Sequence, residues 1–411
     1  MIKFRDYDEE KDKESVHRIW NETGWLEEGK EKQMDDFIEC SKEALVAEVN
    51  GEAECLVLTA PGTIRYLDED IPLSGVTSVT TSRVARKQGL AGKLTAVAVS
   101  RSSEDGYYVS GLGMFEQGFY NKLGFGTGSY EHWLSFDPAA LKIDKKPRIP
   151  SRITSEDWKE VYESLKNRKK GHGFCTLETP KGIKVNMERD KKSFGLGYFD
   201  GPNGELTHHV YFGVKDVERG PYWVMWMSYQ NYNQYLELLG LIKNLCDQVR
   251  LIHMSEPPNI QLQDLIDRPF KSRQITEKSK YENRMIATAW WQMRILDLKG
   301  CIENTHLNDG GVTFNLELED PIENLLDEES PWKGISGEYV VTLGHESKLE
   351  KGKDLTHPTL KASIGAFTRM WLGVRPATGI SVTDNLTASE ELLKALDHVL
   401  CIPRPLINWN L

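Results

Sequence analysis

The stretch Val76-Thr77-Ser78-Val79-Thr80-Thr81-Ser82-Arg83-Val84-Ala85-Arg86-Lys87-Gln88-Gly89-Leu90-Ala91-Gly92-Lys93-Leu94 changes character twice. Its first third is β-branched and reads as a strand, Arg86 to Gly89 is basic and glycine-containing, and Leu90 to Ser100 reads as a helix. A strand that turns through glycine into a helix leaves several backbone N–H groups unpaired and aimed outward, which suits a diphosphate. Arg86 and Lys87 add positive charge beside that turn, while Gly89 and Gly92 let backbone approach an anion where a side chain would obstruct.

The surroundings of this stretch predict a small mixed domain. Upstream lie a short strand, then an amphipathic helix with Val16, Ile19 and Trp20 on one side. Ala44–Val49 and Glu52–Thr59 are strand-like runs around Asn50-Gly51, the dipeptide a type I′ turn needs, so a hairpin is expected. Pro61-Gly62 is read as a loop. Downstream come a strand at Tyr107–Leu112 and an aromatic, glycine-rich segment at Gly118–Tyr130. Charge and two prolines in Asp144–Pro150 mark a boundary. A second strand-helix-strand succession follows without the glycines: runs at Ser193–Phe199, Leu206–Val214 and Tyr222–Tyr229, a helix from Tyr232 and a strand at Val249–Met254. Polar Lys271–Glu282 precedes the apolar segment Met285–Leu298, strand-like runs at Val312–Leu318 and Gly337–Leu343, a helical run at Ser389–Leu400 and the Pro403-Arg404-Pro405 tail. Three domains are therefore expected, over residues 1–146, 147–283 and 284–411, in an α+β chain.

Composition excludes several classes of partner. The chain has 411 residues, with 51 basic and 62 acidic side chains giving a net charge of −11. Nothing in that balance favours nucleic acid or an anionic membrane surface. Six scattered cysteines form no CxxC pair and read as reduced and mostly buried. The charged start MIKFRDYDEEKDKE lacks the apolar core of a signal peptide, and no run approaches the ~18 apolar residues of a membrane span, so a soluble cytoplasmic protein is expected. His132, His172, His208, His209 and His253 follow no metal-ligand spacing; no metal is expected, and adjacent His208 and His209 should point to opposite faces of a strand. Trp223, Trp226, Trp290 and Trp291 read as core or interdomain packing, with the lining of a substrate cavity as the alternative, and the charged runs Lys166–Lys170 and Glu188–Lys192 as solvated surface.

Arg86-x-x-Gly89-x-Ala91 after a strand resembles the acyl-CoA pyrophosphate loop of the GNAT acetyltransferase superfamily, and Gly118-Phe119-Tyr120-Asn121-Lys122-Leu123-Gly124-Phe125-Gly126 resembles its FYxxxGF segment. The order of the whole chain sharpens the resemblance, looking like the enhanced intracellular survival family. That implies tandem GNAT domains, the second degenerate, followed by a sterol-carrier-protein-like α+β domain. In that last domain Met285–Asp297, Leu355–Gly379 and Ile407–Leu411 are similar to the family's segments. The implied activity is transfer of acetyl from acetyl-CoA to a primary amine of aminoglycoside, polyamine or lysine type. Val79, Thr80 and Thr81 would offer backbone to the pantetheine, and Lys87, Gln88, Gly89, Leu90, Ala91 and Gly92 would cradle the diphosphate with Arg86 alongside. Phe115 and Glu116 would lie by the cofactor, Tyr120 would be the general acid, and the terminal carboxylate of Leu411 the general base. Relatives assemble as homo-oligomers, hexamers among them.

Departures from the family pattern carry expectations of their own. Arg86-Lys87-Gln88 stands where three arginines are usual, which weakens attraction for the diphosphate. Phe115 replaces a small polar residue and narrows the pocket beside the sulfur. An alternative reading is a catalytically inactive scaffold, or a module that holds an apolar ligand in its sterol-carrier-like part.

Overall fold

Asp8 starts the first helix by accepting from the backbone N–H groups of Glu10 and Lys11, and Gly24, at φ +77°, ends it. That helix, α1 (Glu9–Thr23), follows β1 (Ile2–Asp6) and buries Val16, Ile19 and Trp20 at the spacing read from the sequence. After α2 (Glu31–Glu39) come β2 (Glu43–Val49) and β3 (Glu52–Tyr66), joined by Asn50 and Gly51 at φ 54° and 100°, both positive as a type I′ turn requires. Next are β4 (Glu69–Thr81), α3 (Leu90–Glu104), β5 (Val109–Gly113), α4 (Gln117–Asn121) and β6 (Gly126–Thr127). The chain continues through β7 (Glu131–Phe136), β8 (Ser151–Ile153), α5 (Trp158–Lys166), β9 (Cys175–Leu177), α6 (Pro180–Glu188), β10 (Phe194–Tyr198), β11 (His208–Val214), β12 (Tyr222–Ser228), α7 (Tyr232–Lys243), β13 (Ile252–Ser255) and β14 (Arg284–Thr288). It ends with β15 (Trp291–Ile295), α8 (Leu298–Glu303), β16 (Val312–Glu319), β17 (Gly337–Leu343), β18 (Lys348–Lys351), β19 (Thr359–Ser363), α9 (Ile364–Trp371), α10 (Ala377–Thr383), β20 (Leu386–Thr387) and α11 (Glu390–Val399). This computed structural model describes residues 2–27, 29–270, 274 and 276–409.

The elements form two compact units. One comprises the chain up to Ser129, residues Gly171–Thr179 and the chain from Ala289 onward; the other comprises Tyr130–Lys170 and Pro180–Thr288. These units and the segments 1–146, 147–283 and 284–411 are different divisions of the chain, because the polypeptide leaves the first unit after Ser129, revisits it at Gly171–Thr179 and returns for good at Ala289.

In the first unit an eight-stranded sheet runs β1-β2-β3-β4-β5-β15-β6, with β9 added to β3. Pro61 and Gly62 lie inside β3, not in the loop expected from their types. Pro61 sits where β2 has ended at Thr59 and β9 has not yet begun, so no neighbour requires its missing N–H. Gly62 admits β9: a Cβ there would sit 2.5 Å from the Thr176 carbonyl oxygen. β15 bonds to β5 on one side and β6 on the other. Its Trp291, Met293 and Ile295 enter a core with Tyr66, Phe314, Phe367 and Trp371, a core shared with the five-stranded sheet β18-β17-β16-β19-β20.

The tail of this unit is pinned by backbone. The Leu406 N–H donates to the His172 carbonyl (3.1 Å), the Cys175 N–H to the Ile407 carbonyl (2.8 Å), and Ser129 Oγ to the Pro405 carbonyl. His172 itself is buried between two main-chain groups, with Nδ1 accepting from the Leu67 N–H (2.9 Å) and Nε2 facing the Leu372 carbonyl (3.0 Å). A carbonyl only accepts, so Nε2 carries the proton of the neutral ring. Burial pushes this imidazole down to about 4, against about 6.5 for a free histidine. Protons therefore bind the unfolded chain first, and stability present above pH 6.5 is lost as pH falls toward 4, by about 3 kcal/mol in all. The melting temperature should drop over that window, and His172→Gln should flatten the slope; an unchanged slope would remove His172 from the acid response.

The second unit is a seven-stranded sheet, β14-β7-β13-β12-β11-β10-β8, with β12 and β13 parallel. α7 covers the face bearing Leu134, Phe136, Phe212 and Ile252. His208 and His209 do diverge: His208 stacks on Tyr198 and meets Glu237, whereas His209 lies between Ser164 and the Trp226 indole N–H. Arg168 corrects the solvated reading of its charged run, since it is buried. Three of the six cysteines, Cys55, Cys175 and Cys301, are buried; Cys401 is exposed, so "mostly buried" was too broad. Among the described residues no helix is long and apolar enough to cross a membrane.

Candidate active site

β4 is prepared by a bulge. Thr77 faces Leu58 and Thr80 faces Leu56 across β3, so Ser78 and Val79 together oppose Val57, and Ser78 takes φ 56°. On its other edge β4 pairs with β5 only from Leu73↔Val109 to Val76↔Leu112. From Thr77 to Thr81 no β5 residue is registered against it, and that edge keeps main-chain groups to offer an extended amide-bearing ligand. Val79 and Thr81 are half-buried; Thr80 is buried with Oγ1 on the Ser78 carbonyl (3.3 Å), and Thr81 Oγ1 donates to Cys55 Sγ (3.3 Å).

The turn beyond β4 passes through positive φ at Gly89, as a glycine allows, and also at Lys87. A short 3₁₀ turn, Arg83–Ala85, is tied to α1 by the Arg83 N–H on Glu22 Oε2 (2.7 Å). Lys87 and Gly89 then take φ 61° and 78°, and α3 begins with no side-chain cap. Its first intrahelical bond is Lys93 N–H to the Gly89 carbonyl (3.1 Å), which leaves the Leu90, Ala91 and Gly92 N–H groups at the helix mouth. Cβ atoms built on Gly89 and Gly92 would meet nothing within 4 Å. Arg86, Lys87 and Gln88 are exposed and have no ion pair among the described residues. The Leu90 side chain is core; only its main chain faces the mouth. Open space, free N–H groups and uncommitted cations together fit a diphosphate.

Tyr120 stands on α4, whose start is capped by Glu116 Oε1 accepting from the Gly118 N–H (3.1 Å). Its ring is buried edge-on to Phe119 (4.8 Å) and Phe125 (6.2 Å), in one core with Val76, Ala85, Leu90 and Leu112. That shared core brings the turn at Gly89 and Tyr120 together. Burial, with a smaller contribution from nearby Cys55, pushes the phenol up to about 12, so it stays protonated at neutral pH. Its hydroxyl has no hydrogen-bond partner among the described residues.

The other expected site residues are less committed. Phe115 is 83% exposed in the middle of the β5–α4 loop. Leu411 lies outside the described residues. Gln292, Arg294 and Asp320, which the sequence reading passed over, are buried directly behind Tyr120's turn. Their signal was present: two polar residues at alternate positions of the apolar run Trp290–Leu296 fall on one face of a strand. Among the described residues no group of three His, Cys, Asp or Glu side chains could hold a metal.

Residues 5–128 match the family profile of the Acetyltransferase (GNAT) domain. Solved structures share the fold along the whole chain: a GCN5-related N-acetyltransferase from Anabaena variabilis (14% identity, TM-score 0.80, 100% of both chains), another from Kribbella flavida (16%, 0.76, 100% of this chain and 98% of that one), and Eis1 from Mycobacterium abscessus (14%, 0.76, 100% of both). None of the curated proteins matches by sequence. The chain is an acyltransferase enzyme of mixed α+β fold with a GNAT domain at its N-terminal side.

Proposed function

We propose that this GNAT-domain acyltransferase transfers acetyl from acetyl-CoA directly to a primary amine of aminoglycoside, polyamine or lysine type. The observation that carries the reading is the open β4 edge running into an uncapped, cation-flanked helix mouth, within the same core as a protonated, unpartnered Tyr120. Main chain of Val79, Thr80 and Thr81 would hold the pantetheine, and residues 86–92 the diphosphate. Phe115 and Glu116 would border the thioester end.

The donor supplies an activated acetyl group; the chain supplies proton control. A bulge N–H near Val79 would polarise the thioester carbonyl. Tyr120 would give its phenolic proton to the sulfur as the C–S bond breaks and the N–C bond forms. The amine proton would pass to the Leu411 carboxylate, the base implied by family resemblance. In support, the tail is held beside Ser129, Gly173 and Cys175 as far as Ile407.

Membership of the enhanced intracellular survival family, with segments 1–146, 147–283 and 284–411 as catalytic GNAT, degenerate GNAT and sterol-carrier-like parts, belongs to the same proposal. So do cytoplasmic residence and a homo-oligomer.

Acetyl-CoA binding tests the reading. At a hundredfold excess over Kd, a ligand specific for the native state adds about 2.7 kcal/mol. The melting temperature of the full chain should rise by a few degrees with millimolar acetyl-CoA, and a panel of amines should release free thiol. Neither shift nor thiol release would leave the scaffold alternative standing.

A further inference from the structure

β15 does more than complete a sheet. Its odd-numbered residues enter one core, while Gln292 and Arg294 face the turn that carries Tyr120, and both are fully buried. Gln292 Nε2 donates to Asn121 Oδ1 (2.5 Å), with Thr127 Oγ1 at 3.2 Å and the Gln117 carbonyl at 3.5 Å. Gln117 Nε2 donates to the same Thr127 hydroxyl (2.9 Å), closing a network under α4.

Two residues along, Arg294 Nη1 donates to the Leu123 carbonyl and Nη2 to Asp320 Oδ2 (2.6 Å). Asp320 is held in turn by the backbone N–H groups of Ile322 (3.2 Å) and Ile335 (3.1 Å). The guanidinium also lies 5.2 Å from the centre of the Trp332 ring. It is pressed closely under the turn: a Cβ on Gly124, at φ +81°, would come 3.0 Å from Arg294 Nη1 and 2.6 Å from Ile364 Cγ2. The chain of bonds reaches the tyrosine itself, because Leu123 N–H and Phe125 N–H both donate to the Tyr120 carbonyl (2.9 and 3.2 Å).

A buried ion pair is a poor device for stability, since apolar replacements of both partners are often neutral or better. It is a good device for fixing direction, because a guanidinium satisfies two acceptors only in one geometry. Tyr120 has the opposite need. Among the described residues its hydroxyl has no hydrogen-bond partner, so none of them fixes the tip of the ring by a bond. We infer that Gln292 and Arg294, with Asp320 behind the latter, are positioning residues that hold the Tyr120 phenol in its donating position. The inference rests on Tyr120 being the general acid.

The test is a double-mutant cycle in the full-length protein. Arg294→Met/Asp320→Leu removes both charges together and leaves neither stranded. The expected result is kcat down roughly tenfold or more, KM for acetyl-CoA within about twofold, and little further loss when the pair variant is combined with Tyr120→Phe. A merely structural role would lower kcat and raise KM for acetyl-CoA together, or add its full cost in the Tyr120→Phe background; either outcome overturns the inference. Should the pair variant not fold, Gln292→Leu, which breaks one side-chain network and no charge pair, is put through the same cycle. Full activity of Tyr120→Phe would instead overturn the general-acid reading, which keeps the two failures distinguishable.

Discussion

Tyr120→Phe is expected to lower kcat by about 10²–10⁴, the range that a positioned general acid contributes, while KM for acetyl-CoA changes little. The phenylalanine keeps the ring contacts to Phe119 and Phe125. Among the described residues the lost hydroxyl leaves no buried partner stranded, so the melting temperature should stay within a degree or two. This separates chemistry from folding more cleanly than most active-site substitutions allow. The pH dependence follows from the same burial. With the phenol raised to about 12, its protonated form persists through the alkaline range, and deprotonation of Tyr120 in the free enzyme should produce no fall in kcat/KM below about pH 11. A limb near pH 10 that disappears in Tyr120→Phe would contradict the assignment, as would an undiminished kcat in the variant.

The second large effect concerns what the GNAT-matching part does alone. A fragment of residues 1–146 should not form a cooperative fold, although it contains the turn at Gly89, Tyr120 and the whole matched region. It lacks β15, so β5 and β6 lose the strand that joins them. It also loses the buried Trp291, Met293 and Ile295. At about 1.5–3 kcal/mol for each fully buried large side chain, those three alone approach the whole stability of a typical domain, about 5–15 kcal/mol. The open edge of β5 would then be an aggregation site. Circular dichroism and thermal melts check this: the full chain should melt cooperatively and the fragment should not. A fragment that melts in one transition and binds acetyl-CoA would show that the sheet closes without β15.

These two cases mark what could be read from the amino-acid order. The strand, turn and helix around Gly89 were legible because each depends on neighbours within a few residues: β-branching, positive φ, an uncapped first turn. Asn50-Gly51 and the stripe Val16, Ile19, Trp20 were legible for the same reason. Strand character at Trp291–Ile295 could also be suspected, but alternation of side chains says nothing about which strands flank it. That choice is made by packing across distant sequence, here Gln292 against Asn121 and Arg294 against Leu123 and Asp320. Pro61-Gly62 misled for a related reason. Their turn preference holds for an isolated segment, whereas in the sheet Pro61 falls in a gap between neighbours and Gly62 receives β9. His172 and Cys175, within a segment read as the second domain, bind the tail in the first unit, and no local pattern announces that.

The slot between β5 and β6 also has a history in time. Thr127 leaves the ribosome roughly 160 residues before Trp291, which at about 5–20 residues per second is on the order of ten to thirty seconds of synthesis. Throughout that interval the nascent chain carries the turn at Gly89 and Tyr120, but neither Gln292 nor Arg294 to support the turn that bears the tyrosine. The support beneath Tyr120's turn is therefore completed only after the return of that strand, and a chain released early in translation would hold the matched motif without the network that underlies it.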